Sequence, residues 1–407
     1  MKKVIIIAYY FPPGPTPANR VLSWIKFLPL SDIYPILITR ASDGIESVEK
    51  LGNAEIHRIK SDEIHNVRFN KNRFGSILSV LLSKLYSMTF WLSSMDPTYK
   101  DFSNYFNKNF GSDDHLLLIT GSPFNLFRIG FEYSKDKKGK WIADYRDMWN
   151  LSDMPRQFDT FLEKAYRKMI AFNIEKKWIA SAHKVTTVSS YLGQKLKSIY
   201  NGSITIIENG FFEEEHKDFR NVKKNDILTF VYVGTIYRTQ EIDLCIKAIG
   251  EACRLEKECA EFIFIGSQLN RHYRKFISEW SNDFLKIKIL PKLTKLECLS
   301  EQAKCHMGIM CSYGAKGIPA SKLYEYIGLY QPVLHFPSDN DIVADTISRA
   351  GLGYIYSNYT NAVIGIRELL TNFKIDKTVN CNIDLEFVDK FSRKKLALKI
   401  AEEVISS

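Results

Sequence analysis

The chain of 407 residues lacks the paired cysteines of a stapled or zinc-bound fold. Its seven Cys show neither CxxC spacing nor dense clustering, and Cys253/Cys259 and Cys305/Cys311 are too loosely spaced for a zinc knuckle. A reducing cytoplasm is the compartment this implies. No two of the eight His have metal-ligand spacing, and no metal is expected; His183 and His306 both precede apolar strands and read as structural. No uninterrupted apolar run reaches the ~18–20 residues of a membrane-spanning helix. The opening MKKVIIIAYYFPPG has the basic end and short apolar run of a signal peptide, but Pro12 and Pro13 stand where a small-residue cleavage site belongs. A first buried strand fits better. Pro and Gly form no low-complexity tract, which argues against disorder. Neither Gly234 nor Gly266 belongs to a GxGxxG, which argues against a dinucleotide oxidoreductase. Lys and Arg are scattered, without an RNA-binding signature or basic arm, so nucleic acid is not an expected partner.

What is present is a net charge of +10, a hydrophobic content of 45% and a regular alternation of short apolar runs with amphipathic stretches. VIIIAYY, PILITR, HLLLIT, KWIADY, KVTTVS and SITIIENG occupy the first half, and LTFVYVGT, EFIFIGS, LKIKIL, HMGIMCS, QPVLHF and GLGYIY the second. Such continuous runs read as strands buried on both faces, as in parallel sheets covered by helices. The predicted fold class is α/β, two tandem Rossmann-like doubly wound domains facing a cleft. The boundaries read as a first domain over 1–210, a charged linker over 211–226, a second domain over 227–382, and a C-terminal helix over 383–407 that either stands alone or packs back on the first domain.

Open α/β sheets bind ligands beyond the carboxyl ends of their strands. Three turns there stand out: FPPGPTPANRVLSWIKFLP, with Gly14, Asn19 and Arg20; VGTIYRTQ, with Gly234, Thr235 and Arg238; and IGSQLN, with Gly266. Apart from these turns stands the helix in GIPASKLYEYIGLYQPVL. Leu323, Tyr326, Ile327 and Tyr330 follow helical spacing toward the sheet, which leaves Lys322 and Glu325 on another face. They are either an i,i+3 surface ion pair worth about 0.2–0.5 kcal/mol or a ligand site. Lys precedes Glu, the poorer order for a pair, and a cation near a helix N-terminus opposes the dipole. A diphosphate with an adjoining ribose would account for both residues.

These residues resemble family 4 glycosyltransferases, bacterial retaining enzymes of the GT-B fold. PASKLYEYIGLYQPVL is similar to their nucleotide-sugar segment, IIIAYYFPPGPTPANRVLSWIKFLP to their opening strand and loop, ITGSPFNLFRIG to a second acceptor-side loop, and KWIADYRDMWN to a segment of one bacterial subgroup. VTTVSSYLGQKLKSIY and ITIIENGFF look like the helix and crossover before the second domain. The resemblance implies a first domain that binds the acceptor and a second that binds a nucleotide diphosphate sugar. Ser321 and Lys322 would meet the phosphates, Glu325 the ribose, and Gly234, Thr235, Arg238 and Gly266 would line the donor site, with Gly14 closing over it. Gly317 occupies the first position of the family's Glu-x7-Glu pair, and Thr235 and Gln240 occupy its usual Arg and Lys positions. Arg238 or Lys322 would then supply the cation.

WIADYRDMWN places Asp144, Arg146 and Asp147 at the end of a buried strand. A carboxylate there is either the general base for an acceptor hydroxyl, Asp147 before Asp144, or half of an Asp–Arg pair that fixes the loop. Asn19, Arg20, Ser122, Asn125 and Arg146 are the candidate acceptor contacts. The stretches over 70–94 and 156–181 mix Lys and Arg with large apolar residues in helical register, as do both interfacial helices and ordinary packed ones. The expected function is sugar transfer to a glycan or lipid-linked acceptor of capsule, O-antigen or exopolysaccharide, in the cytoplasm or peripherally on the inner membrane, with no cofactor beyond the donor. A sugar-nucleotide 2-epimerase of the same fold and an inactive nucleotide-sugar-binding partner are the alternatives.

Overall fold

A computed structural model describes the chain apart from residues 15–17, 62–95, 113, 137–138, 152–166, 237–239, 268–278, 313, 315 and 407. The chain forms two units, Met1–Glu208 with Leu396–Ser407, and Asn209–Lys395. In the first, strands β1 (Lys2–Ile7), β2 (Ile33–Arg40), β3 (Ser47–Lys50), β4 (Glu55–Ile59), β5 (Leu116–Gly121), β6 (Trp141–Tyr145), β7 (Lys184–Thr187) and β8 (Ile204–Ile206) form one sheet. Its order is β3-β4-β2-β1-β5-β6-β7-β8, parallel except for β3 against β4. Helices α1 (Ala18–Phe27), α2 (Pro97–Phe110), α3 (Phe127–Asp136), α4 (Phe172–Ile179) and α5 (Ser190–Leu196) accompany it.

The second unit carries β9 (Leu228–Val233), β10 (Ala260–Ile265), β11 (Leu285–Leu290), β12 (Met307–Met310), β13 (Val333–His335) and β14 (Gly353–Ile355), all parallel, in the order β11-β10-β9-β12-β13-β14. Its helices are α6 (Glu213–His216), α7 (Ile242–Glu256), α8 (Lys295–Lys304), α9 (Ser321–Gly328), α10 (Ile342–Arg349), α11 (Tyr359–Asp376) and α12 (Leu385–Asp389). Helix α13 (Arg393–Ile400) and a π turn over Ala401–Ser406 return the chain to the first unit from Leu396.

Each sheet has a core on both faces, which is why its central strands read as unbroken apolar runs rather than alternating ones. Strand order reverses where β1 meets β5 in the first unit and where β9 meets β12 in the second. At such switch points the loops diverge to opposite faces and leave a crevice at the carboxyl ends. The first crevice is bordered by the loops after Ile7 and Gly121, the second by those after Val233 and Met310. Among the described residues no helix is long and apolar enough to cross a membrane, and no group of His, Cys, Asp or Glu could hold a metal ion.

Candidate functional site

At the second unit's switch point Gly234 ends β9 with φ +87°, and nothing lies within 4 Å of where a side chain would begin. Only glycine adopts that backbone without strain, and the space over it stays open. Gly266 ends β10 in the same way, φ +67°. Ser267 Oγ donates to Gly234 O at 2.7 Å and fixes the two turns together. Thr235 is exposed. Arg238 lies outside the described residues. Gln240, at the family's lysine position, is 1% exposed and acts within the core: its Oε1 lies 2.8 Å from the Tyr232 hydroxyl and its Nε2 donates to Cys311 O at 3.4 Å.

Across the switch point, α9 begins at exposed Ser321 with no side-chain cap. Leu323, Tyr326 and Ile327 are fully buried, and the Tyr326 ring lies so close to β12 that a Cβ on Gly308 would come within 2.5 Å of it. That packing seats the helix and sends Lys322 and Glu325 to different partners. Lys322 Nζ lies 3.7 Å from the centroid of the Tyr232 ring. Burial pulls its pKa down to about 7, a nearby Cys311 thiol opposing slightly. Burial thus favours the neutral amine, and an anion placed beside Lys322 would favour the charged form.

Glu325 Oε2 lies 2.7 Å from His216 Nε2. His216 is fully buried, and its Nδ1 lies 2.8 Å from Phe212 O. A carbonyl only accepts, so Nδ1 carries a proton, and the 2.7 Å contact needs a second proton between imidazole and carboxylate. Burial pushes the Glu325 carboxyl up, but the His216 hydrogen bond and charge, with Lys295 and Arg393 nearby, outweigh it and hold the group below its ordinary range. Glu325 Oε2 therefore accepts from His216 Nε2. Sequence reasoning missed His216, because it lies in the charged stretch 211–226 expected as a linker. That stretch belongs to the second unit. The one available signal was the pair Phe211–Phe212, which is buried.

In the first unit Asp144 is fully buried. It accepts from Arg20 Nη2 at 2.7 Å and Nε at 3.0 Å, and from the hydroxyls of Thr120 and Thr186, each at 2.7 Å. Arg20, 3% exposed, spends Nη1 on Ile207 O and Glu208 O at 2.9 and 3.0 Å. Together the two residues form a buried clamp between α1, β6 and the chain after β8. Asp147 differs, with its side chain 62% exposed and 3.7 Å from Arg146 Nε. Arg146 also donates to Ser122 O at 3.2 Å and lies 5.5 Å from the Tyr10 ring centroid. Asn125 is buried and donates to Asp96 Oδ1 at 2.7 Å. Gly14 is exposed and Asn19 half-buried.

The chain matches no protein-family model and no curated protein sequence. Solved structures resemble it over their full length. A sucrose-phosphate synthase from Thermosynechococcus elongatus gives a TM-score of 0.69 at 14% identity over 99% of this chain and 98% of that one. The trehalose-6-phosphate synthase OtsA gives 0.64 at 8% over 100% and 99%. The UDP-GlcNAc 2-epimerase from Methanocaldococcus jannaschii gives 0.51 at 14% over the whole of both chains. At these identities the likeness is one of fold: the chain has the two-unit parallel α/β architecture of GT-B proteins. None of these structures singles out family 4.

Proposed function

We propose that this chain is a retaining glycosyltransferase that moves a sugar from a nucleotide diphosphate sugar to a glycan or lipid-linked acceptor of a bacterial surface polysaccharide. The observation that carries this reading is the start of α9: a helix N-terminus without a side-chain cap, beside a switch point, with a charge-poised lysine and a carboxylate one turn apart. First-turn N–H groups and a lysine meet a diphosphate, and a carboxylate one turn on meets ribose hydroxyls. As the leaving diphosphate gains charge, the helix dipole and Lys322 offset it. Asp147, exposed beyond β6, is the candidate base for the acceptor hydroxyl. The polysaccharide role rests on the ordered motif resemblance along residues 1–355.

A lipid-linked acceptor would bring the chain to the cytoplasmic face of the inner membrane. The exposed Met169 and Ile170, close in sequence to exposed Lys176 and Lys177, support that reading; the 70–94 stretch lies outside the described residues.

Titrating purified protein with UDP, GDP and their common sugars tests the donor site. One nucleoside diphosphate should bind, and both Glu325→Ala and Lys322→Ala should weaken it about tenfold or more. Binding that neither substitution alters would refute the assignment. The fold likeness to a 2-epimerase supports a second reading, which release of an epimerised sugar nucleotide without acceptor would favour.

A further inference from the structure

The stretch 211–220 wraps around α9 and fastens to it at two places. Arg220 Nε donates to Gly328 O at 2.9 Å, its guanidinium stacks 3.7 Å from the Tyr330 ring centroid, and Nη1 and Nη2 donate to the two carboxylate oxygens of Glu213 at 2.6 Å each. One turn earlier His216 passes over α9 so closely that a Cβ on Gly328 would come within 2.6 Å of its ring, and it ends on Glu325. The groups around the Glu325 carboxylate are His216 from α6, Lys295 and Cys298 from α8, and Arg393 from α13. Lys295 is itself ion-paired with Glu215, so His216 is the direct hydrogen-bond donor among them. The Glu325 side chain stays 26% exposed while His216 is fully buried.

We propose that His216 is a positioning residue for donor recognition, holding the Glu325 carboxylate in the orientation that receives the ribose hydroxyls. This rests on the donor-site reading above. A carboxylate alone on a three-torsion side chain samples several rotamers, and each one frozen on binding costs affinity. A buried imidazole locked at Nδ1 by a backbone carbonyl removes that cost beforehand. His216 itself does not touch the donor.

The two amide variants separate the ring's contacts. In His216→Gln the amide nitrogen reaches where Nε2 lies and keeps the donation to Glu325. In His216→Asn the shorter amide keeps the Phe212 contact and cannot reach the carboxylate. The readouts are melting temperature and the dissociation constants of UDP or GDP, whichever wild type binds more tightly, and of inorganic pyrophosphate, which has no ribose. The expected result is that His216→Asn weakens the nucleotide about tenfold and leaves pyrophosphate unchanged, while His216→Gln stays near wild type for both. Equal loss of nucleotide and pyrophosphate, or no loss in either variant, overturns the positioning role while the donor site stands. If His216→Asn does not fold, a His216→Gln protein that has lost nucleotide but not pyrophosphate overturns it, and one that retains both supports it. Failure of wild type to bind either nucleotide removes the donor site and this inference together.

Discussion

Lys322 and Asp144 show how burial decides what a charged side chain does. Lys322 has its pKa lowered from 10.5 to about 7 by desolvation. Between those values the unfolded chain holds a proton that the folded chain has released, so this group's contribution to stability rises with pH across the window. Lys322→Met should therefore raise the melting temperature most below pH 7 and give no gain above about 10.5. A bound diphosphate draws the lysine back to its charged form. UDP affinity should fall as pH rises through about 7, and binding heat at pH 8 should vary with the ionisation enthalpy of the buffer because a proton is taken up. Buffer-independent heat would rule this out. Asp144 is the opposite case, a charge fully compensated. Asp144→Ala leaves Arg20 buried without its counter-ion and should cost about 3–5 kcal/mol in urea unfolding. Asp147→Asn, on an exposed side chain, should stay within about 0.5 kcal/mol of wild type while losing sugar transfer; full turnover in that variant would remove Asp147 as the base. The sequence put Asp144 and Asp147 at the end of one strand and ranked Asp147 first as the exposed member, but only packing tells that Asp144, within β6, is sealed. His216 was barely legible: its partner lies 109 residues away, and the apolar pair Phe211–Phe212 was the one local sign that its stretch packs inward.

Among elements, the loop after β6 is held by α4. Glu175 Oε1 accepts from the Tyr145 hydroxyl at 3.0 Å, and Oε2 from Asn150 N and Nδ2 at 3.2 and 2.9 Å. Burial pushes its carboxyl up from 4.5 to about 7, against the lowering effect of those hydrogen bonds. The folded state thus binds the proton more tightly. Its contribution is fully present below about pH 4.5 and is lost as pH rises to about 7. Glu175→Gln, which keeps one acceptor and supplies one donor, should flatten the decline in unfolding free energy between pH 5 and 7.5; an unchanged slope would show that Glu175 is not its source. The elements themselves were legible where their sequence runs apolar without interruption. All twelve apolar runs became strands, nine of them buried because strands covered on both faces need continuous apolar sequence, while β8, β11 and β14 are the more exposed edge strands. β3 and β4 were not anticipated. Ser47–Lys50 is exposed at all four positions on an antiparallel edge, and Glu55–Ile59 interleaves charge with Ile. α6 escaped for a related reason, since a four-residue helix of EEEH has no apolar period of its own.

For the whole molecule, the decisive feature is that the first unit is discontinuous. The chain leaves it at Glu208, completes the second unit, and returns at Leu396. Leu396, Ile400, Val404 and Ile405 pack with Val4, Ile6 and Trp24 in one of the first unit's two cores. Three lysines hold the returning segment to the sheet: Lys2 Nζ donates to Ile405 O at 2.6 Å, Lys184 Nζ to Val404 O at 3.2 Å, and Lys399 Nζ to Ile206 O at 2.9 Å. At about 1.5–3 kcal/mol for each large apolar side chain, those four residues contribute about 6–12 kcal/mol, comparable to the net stability of about 5–15 kcal/mol of a typical domain. The first unit should therefore not hold its fold without residues that the chain supplies last. A chain ending at Lys395 keeps every residue of the second unit and loses only this segment. Limited proteolysis should then cut it within residues 1–208 and leave a resistant fragment near 209–395, and a peptide spanning 393–406 added in trans should restore protection. Uniform resistance of the truncated chain would mean that β1 and α1 close their face unaided, and the C-terminal segment would then be a covering on a finished core rather than part of it.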